Sequence, residues 1–485
     1  MSFEIKNLEP REVISNFEKL AKIPHGSGNE EEISLFLVKF AEELGLWAYR
    51  DKAKNVYIKM DATAGMENKP TVLLQGHMDM VCEKESSSSH DFEKDGLKLL
   101  TDGEFIFADK TTLGADDCIA VAIMMALMEN KEIPHPPLEF LITTGEEVGL
   151  TGAFAYEGDK LDADMMINID TEEEGVLLTS CAGGENLVVT KELSQAEAKG
   201  EGSYLSLKVD GLMGGHSGID IDKERANASK LLSRLMLRGF EESSFELSSF
   251  EGGTKDNAIT RDARAVIFVK KENEAKLREA LADEAKIIKN ELNESDPDFV
   301  FEIAEEKGKW LVSSEKTTLE AISLIYSVPN GVIKKSTVID GFVVSSLNMG
   351  IVRKSEDKLE LIFMVRSSIE TQKAEIGRRV RLIANAFGAE YKSLGGYPGW
   401  QFAPESRLRD IASRVYKESF GEELRIEAIH AGLECGIIKS KKPNLDIIAI
   451  GPNVFDCHTP REKLEIKSLE RVWLFVKNIL AEICR

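Results

Sequence analysis

Three short apolar runs near the start of the chain each end in a cluster of polar side chains, and this pattern narrows the fold more than any other feature. TVLLQGHMDMV (71–81), LEFLITTGEE (138–147) and MMINID (165–170) have the length and apolarity of buried strands. DDCIAVAIMMALMEN (116–130) lies between the first two and is apolar enough for a buried helix, and TGAFAYEG (151–158) reads as a short helix before the third. Strand, helix, strand, helix predicts an α/β domain with a mixed, largely parallel central sheet. Such sheets hold their ligands beyond the carboxyl ends of the strands. His77, Asp79, Glu146, Glu147 and Asp170 all fall there.

The pattern changes after CAGGEN (181–186). YLSLKVDGL (204–212), ARAVIFVKK (263–271) and KLELIFMVRSS (358–368) read as strands, and 229–237, 272–292 and a stretch near 371–387 as helices. Leu277, Leu281, Ile288 and Leu292 share one helical face, the mark of a core stripe. This region predicts a second, α+β domain. LRDIASRVYKESF (408–420) and the strand LDIIAIGP (445–452) then return the chain to the first domain, so the second is an insertion.

At 485 residues the chain is long enough for more than one core. With 61 Lys plus Arg against 84 Asp plus Glu, the net charge of -23 disfavours nucleic acid and anionic lipid as partners. No run approaches the roughly 18 apolar residues that cross a bilayer. The opening MSFEIKNLEPREVISNFEKLAKIP reads as a first amphipathic helix rather than a leader. The six cysteines are scattered, with no CxxC pair, as expected of reduced thiols in a cytoplasmic protein. Cys118 and Cys457 stand near candidate ligands, but without paired spacing they do not read as metal ligands.

His77, Asp116, Glu147, Asp170 and His458 are residues of metal-ligand type in five separate settings. A site for two divalent cations could take one histidine and one carboxylate per ion, with a fifth ligand bridging. In GHMDM, His77 and Asp79 stand two apart on a strand and share a face, so the carboxylate can accept the second imidazole N–H. A satisfied surface pair is the alternative. TTLGADD puts two acids at a helix start, where one can cap the helix and the other is free to bridge. In TGEEVG, two adjacent glutamates repel each other unless cations compensate; Glu147 is expected on metal and Glu146 free as proton shuttle, against a solvated acidic turn. In NIDTEEEG, Asp170 ends the strand and the glutamates behind it read as a solvated turn. The glycines of GGHSG allow close backbone approach around His216, which could donate to an oxyanion or simply sit in an exposed turn.

These segments resemble the M20 metallopeptidases. GHMDMV, GADD, TTGEEVGLTGA, INIDTEEEG, GGHSG and CHTP stand in that family's order and approximate spacing. IPHGSGNEE, ATAGMENKP, CAGG, VPNGVI, YPGWQ and HAGLECG extend the likeness from about residue 22 to 460, toward the branch of the family that cleaves Xaa-His dipeptides. The resemblance implies a di-metal catalytic domain over 1–186 and 393–485, with an inserted lid and dimerisation domain over 187–392. It implies His77, Asp116 as bridge, Glu147, Asp170 and His458 as metal ligands, Asp79 orienting His77, and Glu146 as general base. His216 would stabilise the tetrahedral intermediate, and Asn257, Arg366, His430 and Glu434 would hold substrate. Asp117 departs from the pattern, which has Asn at this place, and puts metal preference or local proton affinity in question.

The activity implied is metal-dependent hydrolysis of dipeptides, including Xaa-His dipeptides, by a water activated between two divalent ions. Mixed N/O ligands suit Zn2+, with Co2+ or Mn2+ as substitutes. The expected partners are dipeptide substrates and a second copy of the chain, as a homodimer. An N-acyl amino-acid deacylase or a carboxypeptidase on the same site is the alternative, and it would need no acid such as Glu434 for a free α-amino group. A metal- or peptide-binding protein without activity would not need both Glu146 and Glu147.

Overall fold

The computed structural model describes residues 4–485. The chain forms two compact units. The first takes in the chain up to Ser180 together with Trp400–Ala428 and Leu433–Arg485; the second comprises Cys181–Gly399 and Ile429–Gly432.

The first unit is built on an eight-stranded sheet, in the order Trp47–Arg50, Val56–Met60, Leu138–Thr143, Val72–His77, Met165–Asn168, Asp446–Ala449, Val176–Cys181, Arg425–Ile429. Leu138–Thr143, Val72–His77, Met165–Asn168 and Asp446–Ala449 run parallel. Val56–Met60 and Trp47–Arg50 join antiparallel on one side, and Val176–Cys181 joins antiparallel on the other. The sheet is therefore mixed, with four parallel strands at its centre.

Every residue of Val72–His77, Leu138–Thr143 and Met165–Asn168 is buried, which is why these strands read as unbroken apolar runs rather than alternating ones. The helix Ala115–Glu129 is buried along nearly all its length and packs on Val72–His77 and on the helix Arg11–Ala21. Among the described residues, no helix is long and apolar enough to cross a membrane.

The second unit is an antiparallel sheet in the order Val300–Glu305, Gly202–Asp210, Ala263–Lys270, Glu246–Gly252, Val343–Ser355, Lys358–Ser367, Gly183–Glu192, Glu390–Tyr397. Gly331–Lys335 pairs beside Val343–Ser355. The helices Ala228–Glu242, Lys271–Glu291, Glu315–Ser327 and Glu370–Ala386 cover it. Leu277, Leu281 and Ile288 enter its core, while Leu292 packs at the margin.

The boundaries lie at 180/181 and 399/400 rather than at 186/187 and 392/393. The reason is pairing. Gly183–Glu192 hydrogen-bonds along Lys358–Ser367, and Ser393–Tyr397 pairs back to Gly184–Leu187, so both flanks belong to the second sheet. Ile429–Gly432 joins them because the Ala182 N–H donates to the carbonyls of Ile429 and Ala431.

Candidate metal centre

The strand Val72–His77 ends on His77, whose ring is 1% exposed. Because the strand stops there, His77 and Asp79 are not alternate positions of one strand. The His77 Nδ1 lies 2.9 Å from the Asp79 main-chain carbonyl, and the Asp79 carboxylate stands off at 3.5 Å. The carbonyl thus fixes the tautomer and leaves Nε2 free for a ligand. Asp79 has other partners: its Oδ1 accepts the Glu146 main-chain N–H at 3.1 Å and its Oδ2 the Ser27 hydroxyl at 2.8 Å.

Nε2 of His77 lies 3.1 Å from Asp116 Oδ1 and 3.7 Å from Asp170 Oδ1. The other Asp116 oxygen, Oδ2, lies 3.1 Å from His458 Nε2, which is 3.0 Å from Glu147 Oε1. Two groups of closely spaced ligand-type atoms therefore share Asp116: His77 with Asp170, and Glu147 with His458. Gly114 stands at φ +67°, and Asp116 and Asp117 lie outside helical geometry, which turns the Asp116 side chain away from the helix that follows. Neither acid caps that helix; Asp117 is buried and accepts the His77 main-chain N–H at 3.2 Å. Glu146, in the turn after Leu138–Thr143, groups with His77 and Glu147. Glu172 and Cys457 form a further group with Asp116, a contact that neither residue's spacing revealed.

Glu434 is fully enclosed. Its Oε2 accepts from Gln75 Nε2 at 2.5 Å and Thr143 Oγ1 at 2.6 Å, both on the central strands. Its other oxygen, Oε1, is buried with no hydrogen-bond partner among the described residues, so the central strands hold one side of this carboxyl and leave the other unpaired.

The second unit gathers His216, Asn257, Arg366 and His430. His216 sits on the two-residue strand Gly215–His216, paired with Ala258–Ile259, and the Asn257 carbonyl accepts the Ser217 N–H at 2.8 Å. The main-chain N–H groups of Gly218 and Ile219 approach His216 Nδ1 at 3.3 and 3.2 Å, so that nitrogen is the acceptor and Nε2 carries the proton. Burial, then Arg366, lowers the His216 pKa and favours this neutral form.

Arg366 is 4% exposed; it donates from Nη1 to the Tyr397 hydroxyl at 3.0 Å and pairs with no carboxylate among the described residues. The Tyr397 ring lies between Gly184 and Gly432, where a Cβ on either would come within 2.7 Å of it. The glycines of CAGG and HAGLECG therefore make room for one phenol, a relation that only the fold brings out. His430, 7% exposed, shares a 2.7 Å hydrogen bond with Ser346 through Nε2.

The sequence pattern of Peptidase family M20/M25/M40 matches residues 73–482. The chain belongs to this peptidase family. It is 37% identical over 483 residues, 99% of each chain, to the cytosol non-specific dipeptidase of Escherichia coli (strain K12). It superposes on the aminoacylhistidine dipeptidase of Vibrio alginolyticus with a TM-score of 0.95 at 36% identity, covering 99% of this chain and 98% of that one. Aminopeptidase PepT of Bacillus cereus, at 17% identity and a TM-score of 0.56 over 99% and 100% of the two chains, shares the fold.

The electrostatics of this M20 peptidase fit a cation-holding centre. Burial, and then the neighbouring carboxylates against the pull of His77, pushes Glu146 up to about 8. Burial likewise holds Asp170 and Asp117 well above the usual carboxylate range. His458 is driven up to about 10 by Asp116 and Glu147. Burial opposes the charged forms of His77 and Asp116, but their contact outweighs it, raising the histidine and depressing the aspartate. The Glu147 Oε1 is buried and accepts no aligned hydrogen bond. Buried acids outnumber the histidines beside them, and divalent cations would supply the missing charge.

Proposed function

We propose that this M20 peptidase is a metal-dependent dipeptidase that hydrolyses the peptide bond of dipeptides, Xaa-His dipeptides among them, with two divalent ions, Zn2+ in the first instance and Co2+ or Mn2+ as substitutes. The observation that carries this reading is Asp116, which turns one carboxylate oxygen toward His77 and the other toward His458. His77 and Asp170 would hold one ion, Glu147 and His458 the other, and Asp116 both. Two full-length relatives at 37% and 36% identity, named as a non-specific dipeptidase and an aminoacylhistidine dipeptidase, support the substrate class.

When bound, such ions lower the pKa of a water and polarise the scissile carbonyl. Glu146 takes the proton of the attacking water and returns it to the leaving amine as the C–N bond breaks. Burial makes its carboxylate a strong proton acceptor, and adjacent cations favour its ionised form at neutral pH. Asp79 is a positioning residue, since it holds the Glu146 main chain and the Ser27 hydroxyl at once. His216, neutral with its proton on Nε2, suits donation to the oxyanion, a role that contributes about 3 kcal/mol in other enzymes. Arg366 suits the substrate α-carboxylate, because it is buried with no acid of its own. Asn257 and His430 would line the same binding surface. We assign the second unit as the lid and dimerisation domain of a cytoplasmic homodimer.

The test is hydrolysis of an Xaa-His dipeptide, its N-acetylated form and a tripeptide extension by zinc-loaded and chelated protein. Zinc-dependent cleavage of the free dipeptide alone is the expected result. Preference for the acetylated form would make the protein a deacylase, and no turnover with two ions bound would remove the peptide substrate.

A further inference from the structure

Glu462 takes more main-chain donors than any other carboxylate beside the metal centre, yet it is outside the ligand set. Its Oε2 accepts the N–H groups of Leu113 at 2.7 Å and Gly114 at 3.1 Å. Its Oε1 accepts those of Ala115 at 2.8 Å and Asp116 at 3.4 Å. The residue is 2% exposed and no cationic side chain pairs with it among the described residues. Four successive N–H groups at the head of the helix Ala115–Glu129 thus spend their hydrogen bonds on one carboxylate.

Glu462 follows His458 by four residues, in the turn between the strands Val454–Phe455 and Lys463–Glu465. That turn grips Asp116 at both ends. Glu462 holds its main chain, and His458 lies 3.1 Å from its Oδ2. The strand Lys463–Glu465 also pairs with Phe105–Ala108, which anchors the turn to the first unit. A carboxylate reaching four N–H groups fixes the path of 113–116, where Gly114 has positive φ and Asp116 leaves the helix.

We propose that Glu462 is a positioning residue of the metal centre: it presets the separation of Asp116 from His458, so that the shared carboxylate stands in place before a cation arrives. This rests on the reading of Asp116 and His458 as ligands. A carboxamide at 462 retains one acceptor oxygen but turns an NH2 group toward the remaining N–H donors, which loosens the loop with little change in volume. Supports of this kind that act through a ligand change metal affinity by about 10- to 100-fold.

The experiment titrates Zn2+ into chelated wild type, Glu462→Gln, Glu462→Asp and Ser406→Ala against a chromophoric chelator, with a thermal melt of each metal-free protein. Ser406 caps the helix Arg407–Phe420 away from the centre and serves as a control for plain loss of stability. The expected result is Zn2+ affinity weakened about 10- to 100-fold in Glu462→Gln, an intermediate value in Glu462→Asp, and wild-type affinity in Ser406→Ala at a lowered melting temperature. At saturating Zn2+, kcat should fall in Glu462→Gln while KM holds. Unchanged Zn2+ affinity in a folded Glu462→Gln, or an equal loss in Ser406→Ala, overturns the proposal. If Glu462→Gln does not fold, Glu462→Asp decides by the same reading. Failure of the wild type to bind Zn2+ would overturn the ligand assignment itself, and so stands apart from these outcomes.

Discussion

The Asp79 carboxylate accepts the main-chain N–H of Glu146 at 3.1 Å, tying the segment after one central strand to the turn after its neighbour. The same residue offers its main-chain carbonyl to His77 Nδ1. One residue therefore sets both the tautomer of a candidate ligand and the position of the candidate base.

Asp79→Asn puts an amide where a carboxylate now accepts from Glu146 and Ser27, while the carbonyl contact to His77 survives. Zn2+ should therefore bind nearly as tightly, and kcat should fall about 10- to 100-fold, as for other outer supports of metal sites. Zinc content by mass spectrometry beside steady-state kinetics checks both halves.

The two adjacent glutamates should separate by function. Glu146→Gln removes the proton acceptor and should lower kcat by about 10²- to 10⁴-fold with both ions retained. Glu147→Gln should lose an ion as well as activity. Equal zinc content and equal activity in the two variants would reverse the proposed roles.

The gathering of His77, Asp116, Glu147 and Asp170 was legible because short-range physics put it there. His77, Glu147 and Asp170 stand at or just past the carboxyl ends of apolar strand runs, Asp116 stands at the head of the apolar helix between two of them, and polar side chains at such ends converge. The sheet's parallel centre followed from the same runs. The Glu462 contact was not legible, since it joins residues 346 positions apart and its side chain looks like any solvated acid in a turn. The neighbours of Glu434 were hidden for a related reason: Gln75 and Thr143, whose polar atoms inside a strand core need a partner, hold one of its oxygens from far along the chain. The domain boundaries were displaced because CAGGEN changes composition after the second sheet has begun.

Metal binding should release protons. In the metal-free protein His458 is raised to about 10, so its pairing with Asp116 and Glu147 stabilises the fold fully below its ordinary 6.5 and is lost as pH rises through about 10. A metal takes the neutral imidazole, so apparent Zn2+ affinity should climb across neutral pH. Calorimetric titrations in buffers of different ionisation enthalpy should give different heats. Identical heats would count against His458 as a ligand. Chelation should also lower the melting temperature, because ligand at 100 times its Kd adds about 2.7 kcal/mol to stability.

His430 gives a second pH dependence, independent of metal. Burial, and then Arg366, pushes it down to about 3 from an ordinary 6.5. Between these values the unfolded chain binds the additional proton, so this contribution to stability is complete above 6.5 and is lost as pH falls toward 3. Urea midpoints of chelated wild type and His430→Gln should differ more at neutral pH than at the acid end of that window. A constant difference would mean that the histidine is not held neutral.

Arg366 allows stability and binding to be separated within one substitution. A buried arginine normally pairs with an acid, and removing it strands that acid at a loss of about 3 to 5 kcal/mol. Here no carboxylate among the described residues would be stranded; the hydrogen bonds to Tyr397 and, at 3.5 Å, to Ser217 would go. Arg366→Met should therefore fold at least as stably as wild type, because it exchanges a buried unpaired charge for an apolar side chain of similar length. If the guanidinium receives the substrate α-carboxylate, KM for dipeptides should rise about 10- to 100-fold, the equivalent of one charge-assisted hydrogen bond of roughly 1.5–3 kcal/mol. The rise should vanish for a dipeptide amide, which has no carboxylate to offer. A large drop in the denaturation midpoint with unchanged KM would make Arg366 a structural residue and leave the α-carboxylate without a partner in this unit.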